Sequence, residues 1–170
     1  MAVLWLVFGA AYFTHPQAWT GADLVEPQTG WAVFAWILTS NCLLTLLIVG
    51  GNLFVRFGSV TPGLVVLALQ AVIIGWTAGT NGFLEPFPSV EAANATFLRV
   101  GLWETSAYAL LCAVTMPKSM LVAATFPAKE WVETHSLKNL RFTRLEVTIA
   151  AVGGLCLLGA AVVEAFFPGV

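Results

Sequence analysis

The chain has 170 residues, of which 59% are hydrophobic and 9% charged, with a formal net charge of −2. A water-soluble fold of this composition would lack the polar surface needed to cover itself, so lipid is the expected solvent for most of it. The slight acidity argues against a nucleic-acid partner, and spans of about 20 residues each leave no length for a separate soluble domain, so the chain is expected to form a single integral membrane domain.

The first apolar segment, about residues 2–14, stops at Thr14-His15-Pro16 and is short for a crossing. A secretory signal would carry a basic n-region and a small-x-small cleavage site, and neither stands here, so a truncated or tilted helix is expected. Residues 17–30 are polar, hold Asp23 and Glu26 without Lys or Arg, and predict an exposed loop. The second span, 31–55, has Trp31 and Trp36 near one end, where amphipathic rings favour the lipid interface, and Arg56 closing the other. After a short link, Thr61-Pro62 can cap and open a third span over 61–83, which makes spans two and three an antiparallel hairpin.

Leu84 to Phe97, with Glu85, Pro86, Pro88 and Glu91, predicts a second acidic, non-helical loop. The fourth span covers 98–118, where Pro117 implies either a kink or an exit from the membrane. Between Phe126 and Leu145 lie Lys129, Lys138, Arg141 and Arg144, four of the seven basic residues, interleaved with Trp131 and Leu137. That mixture predicts a short amphipathic helix lying at the interface. A fifth span over 146–167 ends at Pro168. The expected fold is therefore all-α: a polytopic membrane helical bundle of about five spans, with a basic interfacial helix between spans four and five.

Short loops enriched in Lys and Arg stay on the cytoplasmic side. Arg56 and the basic cluster fall on one face of this topology and the acidic loops on the other, which predicts a cytoplasmic (inner) membrane protein with its N-terminus inside and its C-terminus outside. Asn94-Ala95-Thr96 is an N-glycosylation acceptor pattern on the predicted outer face.

An ionisable group at the centre of a span costs about 3 kcal/mol to insert, which makes Glu104 the leading candidate for function. Asn41 and Gln70 lie at comparable depth in spans two and three, and with Glu104, Thr105 and Ser106 they could line an intramembrane polar site or act as interhelical glue. Glu164, near the outer end of the last span, is on physical grounds an interfacial residue. Gly75-Trp76-Thr77-Ala78-Gly79, and Gly153-Gly154 with Gly159, offer smooth faces for packing within the bundle or for dimerisation. Cys42, Cys112 and Cys156 lie in apolar segments without CxxC spacing and read as buried reduced thiols. His15 and His135 fall on opposite predicted sides, so no metal site joins them. No catalytic constellation and no cofactor-binding motif is found.

The segments Ile37-Leu38-Thr39-Ser40-Asn41, Gly50-Gly51 through Thr61-Pro62-Gly63, Leu102-Trp103-Glu104-Thr105 and Leu157 through Glu164-Ala165-Phe166 occur together in this order. In this the chain resembles the stage II sporulation protein M family over roughly residues 31–168. Asn41, Glu104 and Glu164 match its pattern, whereas relatives often carry Pro-His-Gly before the Glu. The resemblance implies a helical membrane protein acting as a scaffold without catalytic residues, its partners being membrane lipids and either other proteins or further copies of itself. The competing expectation is a small transporter or channel subunit built around Glu104.

Overall fold

From Trp31 to Phe54 no residue is charged, and the chain there has no alternative to closing its backbone hydrogen bonds within itself if it is to enter lipid. In the computed structural model, which describes residues 1–19 and 28–167, this segment is the uninterrupted helix α2, Trp31–Phe54. Ala2–Thr14 forms α1 and Pro62–Gly79 forms α3, the latter capped by Thr61, whose hydroxyl accepts from the Leu64 N–H, with Pro62 in the first turn. A helical rod over Val90–Lys118 is assembled from α4 (Val90–Thr96), a π turn (Phe97–Gly101), α5 (Leu102–Thr115) and a closing 3-10 turn (Met116–Lys118). Arg144–Phe166 forms α6, started by a reciprocal capping box between Thr143 and Glu146.

Helix α2, helix α3, the rod and α6 are each long and apolar enough to cross a membrane. At 13 residues α1 reaches about 20 Å, short of a hydrocarbon layer of about 30 Å. Large apolar side chains point outward along these helices, among them Leu46 at 65% and Trp36 at 74% exposure, the inverse of a soluble fold and the arrangement lipid requires. The interior is narrow and made largely of small residues, with Ile48, Ala107, Tyr108, Cys112 and Leu157 at its centre.

Close approach at glycines sets the order of the bundle. A Cβ on Gly75 would stand 2.5 Å from the Leu4 carbonyl oxygen and one on Gly79 2.5 Å from that of Phe8, so α1 runs parallel to α3 along its C-terminal half. Gly153 faces the Ala107 carbonyl and Leu111, seating α6 on α5. The two glycine faces thus diverge: Gly75, Gly79 and Gly153 serve packing within the bundle, while Gly154 and Gly159 meet nothing within 4 Å.

A three-stranded sheet closes one end. β1 (Val55–Phe57) extends directly from α2 and pairs in parallel with β2 (Leu121–Ala123), which pairs antiparallel with β3 (Val132–Glu133). The link after span two and the long segment before span five therefore share one end of the molecule, as the charge pattern anticipates.

Two boundaries differ from expectation, and at Pro117 one of two open alternatives is realised. Residues 126–143 contain no helix: apart from a turn at Ser136–Asn139, Thr134 N–H bonds the Met120 carbonyl and its hydroxyl bonds that of Ser119, so pairing with the segment around β2 takes the place of helical hydrogen bonds. Helix begins at Val90 rather than Leu98, because Ser89 caps it by accepting from Ala92 N–H and Glu91 favours its first turn. This puts Asn94 inside a helix rather than in a loop. At Pro117 the rod ends in its 3-10 turn, and the apolar run beyond becomes β2. Asp23, Glu26 and Pro168 lie outside the described residues.

Candidate functional site

Along α2, Asn41, Thr45, Ile48 and Asn52 recur at helical spacing and form one stripe. Along α5, Glu104, Tyr108, Cys112 and Thr115 do the same. The two helices run parallel, so the stripes meet in register and give two polar clusters separated by Ile48.

In the first cluster Asn41 is the hub, because an amide both donates and accepts. Its Nδ2 donates to Glu104 Oε1 at 2.5 Å, and its Oδ1 accepts from the Tyr108 hydroxyl at 2.8 Å. Tyr108 is 3% exposed, while Asn41 and Glu104 are half-buried. Glu164, exposed in the last turn of α6, lies within electrostatic reach of both Glu104 and Tyr108. The pair expected at mid-depth is thus brought together, and Glu164 stands nearer to it than its position at a helix end suggests.

Gln70 is not bonded into this cluster. It lines a small, mostly apolar cavity with Met1, Leu4, Leu67, Thr105 and Tyr108, so it shares that cavity with one member of the cluster. Thr105 turns its hydroxyl back to the Gly101 carbonyl at 2.7 Å.

The second cluster surrounds Asn52, fully buried, which the sequence reading passed over. Its Nδ2 donates to the Cys112 carbonyl at 3.1 Å and to Thr115 Oγ1 at 2.9 Å, and its Oδ1 accepts from the Thr61 hydroxyl at 2.5 Å. The Ser119 hydroxyl donates to the Asn52 carbonyl at 2.6 Å. A Cβ on Gly63 would collide with the Ile48 carbonyl and Asn52 Oδ1, and one on Gly51 would lie 2.6 Å from Gly63 N. Glycine is required at both places for the hairpin to close on Asn52. The available signal was an Asn within a span, flanked by Gly51 and facing Thr61-Pro62-Gly63 across a short link.

Lys129, Lys138, Arg141 and Arg144 are exposed at the sheet end, and among the described residues none of them forms an ion pair. Lys118 does, with Glu146 at 2.9 Å. Cys42, Cys112 and Cys156 are free thiols; Cys112 is buried, whereas Cys156 is half-buried and Cys42 is exposed on the outer side of α2. His15 stacks edge-on to Trp76 and His135 approaches the Ser119 carbonyl, at opposite ends of the molecule. Among the described residues no group of three His, Cys, Asp or Glu side chains could hold a metal ion. Comparison of the chain with protein-family models, with curated proteins and with solved structures found no match.

Proposed function

We propose that this chain is a non-enzymatic membrane scaffold or accessory subunit of a membrane complex, as the resemblance to the stage II sporulation protein M family implies. The observation that carries this reading is the closure of the Asn52 cluster: four elements are tied together by polar groups that satisfy one another. Such a device fixes geometry and leaves no open coordination for a solute. The same cluster bonds the turn that leads into the sheet, where Phe126 at 80% and Val132 at 61% exposure are apolar side chains open to a protein partner. The sheet end faces the cytoplasm in this reading, and the N-terminus lies inside.

Affinity purification in mild detergent, with identification of co-eluting proteins by mass spectrometry, tests it. Stoichiometric partners are expected, and transport of an ion or solute by the purified chain alone in liposomes would overturn the reading.

A second reading, a transporter or channel subunit, is favoured by one observation: a second carboxyl group, Glu164, lies within electrostatic reach of Glu104. It requires that Glu104→Gln abolish flux, and unchanged flux in that variant removes it.

A further inference from the structure

The basic residues at the sheet end divide into two kinds. Lys118 is internally neutralised, bonded to Glu146 and lying 5.5 Å from the centre of the Phe142 ring. Lys138, Arg141 and Arg144 are exposed, and among the described residues no carboxylate pairs with them. No acidic residue stands between Ser136 and Arg144, and Glu130 and Glu133 precede that stretch.

Arg144 makes the lack of counter-charge acute. It is the first residue of α6, where the peptide dipoles present positive charge and a cation is disfavoured. The carboxylate nearest in sequence, Glu146, is engaged by the Thr143 N–H at 2.7 Å and by Lys118. The carboxylate of the first turn is thus engaged by other groups, and among the described residues no ion pair neutralises Arg144, which leaves its charge open to an anion from outside the chain.

The neighbouring side chains say where that anion comes from. Leu137 is 72% and Leu145 68% exposed, and Leu145 shares one outward face of α6 with Val152 and Leu155. Apolar side chains are thus interleaved with unpaired cations at the point where the chain enters the membrane. This is the layering of an interface, with acyl chains on one side and phosphates on the other.

We propose that Lys138, Arg141 and Arg144 form a binding strip for anionic lipid headgroups of the leaflet on the sheet side. The strip is continuous with the lipid-facing surface of α6, and residues 140–143, which belong to no helix or strand, carry it to the first turn of that helix. The inference requires only that the chain sit in a bilayer, and is independent of the scaffold reading.

The test reconstitutes the full chain in mixed vesicles of phosphatidylcholine and phosphatidylglycerol, extracts it in mild detergent and quantifies the retained lipid. Phosphatidylglycerol is expected to be enriched on the native chain, and K138Q/R141Q/R144Q to lower that preference on the order of a hundredfold. K138R/R141K/R144K, which keeps the charges, is expected to retain it, and inorganic phosphate is not expected to displace the lipid. Equal enrichment on the native and glutamine-substituted chains, absence of enrichment on the native chain, or displacement by inorganic phosphate would each overturn the proposal. So would retention of an acidic protein on the strip in place of lipid.

Discussion

Replacing Asn52 with alanine removes the side-chain partner of the Thr61 hydroxyl, the Thr115 hydroxyl and the Cys112 carbonyl at once, at a fully buried position. A loss of about 1–3 kcal/mol is expected, read by unfolding in mixed micelles. Gly63→Ala is expected to cost at least as much, since its Cβ meets backbone at Ile48 that cannot yield, whereas Gly154→Ala, which meets open space, should stay within about 0.5 kcal/mol of native. For Asn41 and Glu104 a double-mutant cycle should return a coupling of about 0.6–1.7 kcal/mol, the range typical of hydrogen bonds between membrane helices. The difference in legibility between the two asparagines is instructive. Glu104 draws attention because a carboxyl group in a span is costly, and Asn41 is found by matching its depth. Asn52 has no charged neighbour to announce it, and its partners come from the cap of α3, from α5 and from the turn after it, which only the folded chain brings together.

Among the elements, α1 depends on others most. It is too short to cross unaided and is held by the grooves at Gly75 and Gly79, with Trp19 Nε1 donating to the Gly79 carbonyl beyond its end. Gly79→Leu is expected to unseat it at a cost of about 1–3 kcal/mol, while Gly9→Leu on the open side of α1 should leave the thermal midpoint unchanged. The Gly75/Gly79 spacing was readable as a packing face because helix period and side-chain size are local properties. The segment over 126–143 was not readable in that way. Its charges and apolar residues fit an interfacial helix, but its backbone pairs with Met120 and with β2, partners outside the segment itself.

At the scale of the molecule, sidedness is open to direct measurement. In a background without the native cysteines, single cysteines at Ser59 and Asn139 should react with a membrane-impermeant maleimide only from the cytoplasmic face, and one at Leu84, 98% exposed, only from the opposite face. Reaction of Ser59→Cys and Asn139→Cys from different faces would contradict the sheet itself, since β1 and β2 join the two segments. The grouping of these links was legible from the distribution of Lys and Arg. The sheet was not, because strands of two or three residues carry no period and derive their existence from each other.

The Asn52 cluster also places a clock on biogenesis. Its partners Cys112 and Ser119 lie 60 and 67 residues further along the chain than Asn52. At a synthesis rate of roughly 5–20 residues per second, helix α2 must wait roughly 3–13 s in the membrane before the groups that complete it are made. Throughout that interval Asn52 has Thr61 alone to bond, and β1 is an unpaired edge. A nascent chain halted before Cys112 would therefore hold Asn52 in the membrane with most of its polar partners missing.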